Sequence, residues 1–129
     1  MRIGVIAQRL GLPVLEAIDT AARLGVDGVQ LYSVSRTENM LEFDAAARRA
    51  VVRRAADAGI EIVAVCGEVG GFGFRLADKN PERIALSCRN LDLALDLGCR
   101  IVSSHIGVVR ADRTDELYCR QRDALRGEA

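Results

Sequence analysis

The chain of 129 residues has no excess of either charge, a single histidine, a single lysine and no C-x-x-C pair. Eighteen basic residues balance eighteen acidic ones, which argues against the positive surface by which a protein holds nucleic acid. The four cysteines, Cys66, Cys88, Cys99 and Cys119, stand 22, 11 and 20 residues apart. That spacing fits neither a zinc ribbon nor a redox motif and reads as reduced thiols. The apolar run after Met1 is about five residues long, too short for a signal peptide, and no stretch approaches the roughly twenty residues that span a bilayer. A cytoplasmic protein with no nucleic-acid and no membrane partner is expected. The G-K-[ST] of a P-loop is missing, and Gly71-x-Gly73 has Leu76 where a dinucleotide fingerprint needs a third glycine.

Half of the residues are hydrophobic, enough for one globular domain whose core needs no metal or disulfide to hold it. Alanine occurs 18 times and arginine 17 times. The arginines run along the whole chain, a distribution that codon usage in a GC-rich genome explains and that singles out no site.

Short β-rich runs alternate with longer runs of helical period. The strands are expected at Ile3 to Ala7, Gly28 to Ser33, Ile60 to Cys66 and Arg100 to Ile106, an alternation that signals βαβ units and a parallel sheet. Pro13 opens the first helix, Asp44 caps the second, Asn80 with Pro81 opens the third, and Thr114 caps a fourth that runs to Arg126. In the second helix Ala47, Val51, Ala55 and Ala58 form the apolar row, opposite a solvated row of Arg49, Arg53 and Asp57. In the third, Ile84, Cys88, Leu91 and Leu95 are expected to face the sheet.

The joints LGVDGVQL, AGIEIVAV and LGCRIVSS repeat one device, a glycine suited to a left-handed helix end followed by a strand. Gly25, Gly59 and Gly98 are 34 and 39 residues apart, so the next joint falls near residue 134. Gly127 is expected as the C-cap of the fourth helix.

In parallel α/β sheets ligands bind beyond the carboxyl ends of the strands. Those ends are Ala7 with Gln8, Gln30 with Tyr32, Cys66 to Glu68, and Ser104 to Gly107. His105 is there in SSHIG, suited to bind a metal, orient a hydroxyl or transfer a proton. Glu68 is expected near it. The loop CGEVGGFGF is glycine-rich enough to approach a ligand, with Phe72 or Phe74 as an aromatic wall or tucked into the core. Gln30 lies mid-strand, where its amide needs a partner. Cys66 reads as small core filler rather than a nucleophile.

The segments MRIGVIA, PVLEAIDTAARLGVDGVQLY, AGIEIVAVCGEVGG and LGCRIVSSHIG together resemble the sugar phosphate isomerase/epimerase group of xylose isomerase-like TIM barrels. The resemblance implies a (β/α)8 barrel of which residues 1–129 are the N-terminal four units, since a closed barrel takes roughly 250 residues. It implies a sugar or sugar phosphate as substrate, a divalent metal (Mn, Mg, Zn or Co), and proton transfer next to a carbonyl through an enediolate. In this family the principal metal ligands and acid/base glutamates come mostly from strands five to eight, so no catalytic residue is assigned in this chain. Carried over are His105, Glu68, Gln30 and Phe72 as substrate contacts, with His105 the candidate metal ligand; Gln30 stands where the family commonly has glutamate. A half barrel has open strand edges, which are expected to drive homo-oligomer formation. The other readings are a non-catalytic α/β fragment or small-molecule binding module with an open sheet, and an endonuclease-like member of the same superfold. The balanced charge and lone histidine disfavour the last.

Overall fold

The structure is a computed structural model that describes residues 1–70 and 73–127. Four parallel strands, β1 (Gly4–Ile6), β2 (Gly28–Tyr32), β3 (Glu61–Cys66) and β4 (Val102–Ser103), are ordered 1-2-3-4 across one sheet. Each is followed by a helix: α1 (Val14–Arg23), α2 (Ala45–Asp57), α3 (Asn80–Asp96) and α4 (Glu116–Arg126). Parallel crossovers are right-handed, so a sheet that adds each new strand on the same side lays all its helices on one face. The core follows suit. Val29, Leu31 and Val65 from the sheet join Ile18, Val51 and Leu93 from α1, α2 and α3 in one buried cluster. This is half of a TIM barrel, four βα units in sequence with the sheet left open at β1 and β4.

Several local expectations hold. Asp44 Oδ1 accepts the Ala47 N–H at 2.7 Å and caps α2. Val51 and Ala55 are buried while Arg49, Arg53 and Asp57 face solvent. The joint glycines adopt left-handed φ values of 73°, 68° and 73° at Gly25, Gly59 and Gly98, where L-residues are strained and glycine is not.

Others need correction. β4 is two residues long, much shorter than the run from Arg100 to Ile106, because β3 pairs with only part of that run, through Val65 N–H to Ile101 O and Gly67 N–H to Ser103 O, each at 2.9 Å. The cap of α4 is Asp115, whose Oδ1 accepts from Leu117 and Tyr118; Thr114 instead donates to Asp112 Oδ1 within the preceding turn. α3 does open with Asn80 and Pro81 as expected, after Lys79 at the N-cap, and the Asn80 amide donates to Phe74 O. Gly127 is the C-cap of α4, in right-handed geometry.

The apolar stripe of α3 is misplaced by part of a turn. Leu91 is 41% and Leu95 72% exposed, while Ser87, Asn90, Leu93 and Ala94 are buried. Leucines occur on several sides of this helix, and the face against the sheet is the one that also meets the loop after β3. With Ile101 at 59% exposure and Leu125 at 39%, Leu91 and Leu95 are large apolar residues left open on α3, just before β4 and on α4.

Replacing one joint glycine and one strand-end glycine tests the backbone argument. A Cβ on Gly25 meets nothing within 4 Å, whereas one on Gly67 would lie 2.5 Å from Asn90 Cγ. Gly25→Ala is expected to cost about 1 kcal/mol of conformational strain, and Gly67→Ala more than about 2 kcal/mol through overpacking; urea unfolding midpoints of both variants measure the difference.

Candidate functional site

At the carboxyl end of β1, Ala7–Leu10 form a tight turn that aims Gln8 across at β2. Gln8 Oε1 accepts the Tyr32 N–H at 2.9 Å, and its Nε2 donates to Tyr32 O at 3.2 Å. The amide extends the β1–β2 ladder by one step, a structural role. It also seats the Tyr32 ring beneath Arg9, whose guanidinium carbon is 5.6 Å from the ring centroid and whose Nη2 donates to the Tyr32 hydroxyl at 3.2 Å.

On the sheet face away from the helices, Gln30 Nε2 donates to Ser103 Oγ at 3.2 Å. Alternation puts Gln30, Cys66 and Ser103 on this face, since Leu31 and Val65, their neighbours in the register, face the helices. The Gln30 amide thus finds its partner on another strand rather than in the core. Cys66 lies between them, and burial pushes its thiol up from the ordinary range; hydrogen bonds from Ser103 and Gln30 oppose the rise and the Glu68 carboxylate adds to it. A thiol so held stays protonated near neutral pH and is a poor nucleophile.

Glu68 and His105 come together, Glu68 Oε1 against His105 Nδ1. Glu68 is partly covered and His105 largely exposed, with 38% and 85% of their side-chain surfaces accessible, so water screens the pair and its value lies in orientation rather than stability.

Two close backbone approaches fix where these residues stand. Gly67 lets the end of β3 lie directly on Asn90 of α3, which sets the stem of Glu68. Gly73, at φ 52°, lies so close to the segment after β4 that a Cβ would be 2.1 Å from the Ile106 carbonyl carbon. Ile106 O accepts from Gln121 Nε2 at 2.7 Å and from Phe74 N–H at 3.4 Å, which ties down the chain next to His105. Gly67 and Gly73 therefore admit side chain and backbone of the same protein. Phe74 is 1% exposed in a small cluster with Val69 and Ala124, a core residue and not a ligand wall. Phe72 lies outside the described residues.

A cavity of about 540 Å³ opens at the carboxyl ends of β1 and β2, lined by Gln8, Arg9, Gly11, Tyr32, Val34, Ser35, Arg36, Thr37 and Glu68. Of the residues singled out as substrate contacts Glu68 lines it; Gln30 and His105 do not. Arg9 and Arg36 escaped the sequence reading because arginine is everywhere in this chain. The signal that was available is position, Arg9 just past β1 and Arg36 within a polar loop unusually long for a βα connection.

The half barrel, with its polar groups at the carboxyl ends of the strands, defines a βα-barrel protein whose site is built on its loops. The chain belongs to the xylose isomerase-like TIM barrel family, whose model matches residues 18–127. Solved structures agree in fold. A xylose isomerase domain protein from Planctomyces limnophilus superposes with a TM-score of 0.72 at 22% identity, over 98% of this chain and 49% of that one. A xylose isomerase-like TIM barrel/4-hydroxyphenylpyruvate dioxygenase fusion protein gives 0.66 at 22% identity, over 99% and 21%. An AP endonuclease, family 2, from Brucella melitensis gives 0.57 at 18% identity, over 94% and 47%. The chain thus spans about half or less of the structures it resembles. No curated protein matches the sequence.

Among the described residues no group of three or more His, Cys, Asp or Glu side chains is placed to hold a metal ion. Glu68 and His105 are two donors where a protein metal site takes three or four, so the described residues do not fit a complete metal centre. No helix among them is long and apolar enough to cross a membrane.

The elevated Cys66 thiol predicts slow chemistry. Cys66 is expected to react with iodoacetamide at pH 7.5 at least about tenfold more slowly than free cysteine, as followed by peptide mass spectrometry; a rate equal to free cysteine would contradict its protected state.

Proposed function

We propose that this chain is the N-terminal half of a sugar isomerase or epimerase barrel that moves a proton on a carbon next to a carbonyl. The observation that carries this reading is the Glu68–His105 pair at the carboxyl ends of β3 and β4, the face on which barrel enzymes do chemistry, in a chain of the xylose isomerase-like family. In this reading the pair contacts the substrate. Glu68, as an acceptor, holds His105 by Nδ1, which leaves Nε2 to meet a sugar hydroxyl or carbonyl oxygen. The acid and base that exchange the proton, and the donors that would complete a divalent metal site, belong to the other half of the barrel.

The same reading makes the ligand a small polar molecule and the protein cytoplasmic, with the balanced charge as the argument against nucleic acid. The open edges of β1 and β4, together with the exposed Leu95 and Ile101, support association of the chain with further strands or with itself.

The test is solvent exchange. The complete gene product, incubated with a panel of ketoses in D2O with Mn, Mg, Zn or Co ions, is expected to replace the hydrogen next to the carbonyl with deuterium, as read by proton NMR. Glu68→Gln and His105→Ala are each expected to slow exchange by about tenfold to a hundredfold, the range for losing one positioned polar group. No exchange across the panel, or full exchange in both variants, would sink the proposal.

A further inference from the structure

We propose that the cavity between the loops after β1 and β2 is an anion subsite, in which Arg9 and Arg36 hold the phosphate group of a phosphorylated sugar. The inference rests on the function proposed above for its substrate class, and on four observations of its own. Arg9 and Arg36 both line one cavity of about 540 Å³, a volume suited to a small molecule. Neither guanidinium has a carboxylate partner among the described residues, whereas Arg2, Arg48, Arg54, Arg89, Arg120 and Arg122 do.

Both are also carried on fixed backbone or a fixed ring. Arg9 is anchored through Nη2 to the Tyr32 hydroxyl and lies over that ring, which leaves its other donors available. Arg36 sits in a turn closed by Ser35 N–H to Glu38 O at 2.8 Å and by Glu38 N–H to Ser35 Oγ at 3.1 Å, with the Thr37 hydroxyl reaching Leu12 O. Finally, the lining holds two guanidiniums against a single carboxylate, Glu68, which is engaged by His105, and the Glu38 carboxylate of the Arg36 turn is taken up by the Val14 N–H. Guanidinium pairs match the oxygens of a phosphate by paired N–H donors. A phosphate held between the first two loops places the remainder of a short sugar toward Glu68, which shares the same cavity wall.

The experiment is a nitrogen-15 NMR titration of the full chain at low salt, with glycerol 3-phosphate, glycerate and glycerol as probes. Glycerol 3-phosphate is expected to shift the amides of Gln8 to Gly11 and Ser35 to Thr37, and glycerol to shift none. Arg9→Gln and Arg36→Gln should each weaken phosphate binding by about fivefold and the double variant by about twentyfold, as for exposed charge-assisted hydrogen bonds. Arg53→Gln, on the solvent face of α2, should leave it unchanged. Among the described residues Arg36 donates no side-chain hydrogen bond, so its variant keeps the fold if Arg9→Gln does not, and thermal melts report on both. Tighter binding of glycerate would overturn the phosphate assignment. Shifts spread over the arginines of the whole chain, or equal binding in the double variant, would overturn the subsite. Neither readout needs turnover, so a failed isomerase assay with intact phosphate binding refutes the proposed function alone.

Discussion

Everything in this molecule depends on the handedness of the crossover between neighbouring parallel strands. Because each strand is added beside the last, in the order 1-2-3-4, right-handed crossovers put all the helices on one side. The helix-facing residues of β2 and β3, Val29, Leu31, Ile62 and Val65, then share one core with α1, α2 and α3. The opposite face gets no helix. It carries Gln30, Cys66 and Ser103, a polar row that would be costly under a helical layer and is at ease in the interior of a barrel mouth. A sequence of strands that reversed direction once would have needed apolar residues on both faces.

From that arrangement the site follows with little further specification. Parallel strands bring all their carboxyl ends to one edge, so Glu68 after β3 and His105 after β4 become neighbours although 37 residues separate them. Topology alone brings them near; two glycines make the approach close. Gly67 seats β3 against Asn90, and Gly73 packs on Ile106, so the two loops that carry the pair are held by backbone contact. Asn90 is fully buried and its Oδ1 has no partner among the described residues.

The parts of the fold legible in the sequence were those set by local chemistry. A glycine between a helix and a strand predicts left-handed φ at Gly25, Gly59 and Gly98 because glycine alone adopts it without steric cost, and an aspartate before an alanine-rich run predicts the Asp44 cap. The proximity of Glu68 and His105 was legible as well, through the strand order that the alternation implies. What failed was set by competition between near-equals. Asp115 and Thr114 are both good caps, and the chain used the one whose carboxylate reaches two N–H groups. In α3 several leucines compete to be the buried face, and the contact of Asn90 with Gly67 favours the face that carries Ser87 and Asn90. For Phe74 the sequence left wall or core open, and the close approach of Gly73 to Ile106 goes with the core position. Arg9 and Arg36 were hidden by abundance, since a residue type found seventeen times carries little information at any one position.

Zero net charge, read along the sequence, argues against a nucleic-acid surface but says nothing of where charge is concentrated. In the fold most of the ion pairs lie away from the strand ends. Arg48 reaches from α2 to Asp96 of α3, Arg54 from α2 to Asp19 of α1, and Arg89 from α3 to Glu42 before α2. These pairs bind helix to helix or to an adjoining turn on the outer layer and neutralise it. At the mouth the balance differs: two guanidiniums and one carboxylate share a cavity, and the carboxylate is turned to a histidine. Exposed charges more than about 10 Å apart are screened from one another at moderate salt, so the total charge of a chain says little about any one place on it. A chain neutral overall can thus gather two guanidiniums and one engaged carboxylate in the lining of a single cavity.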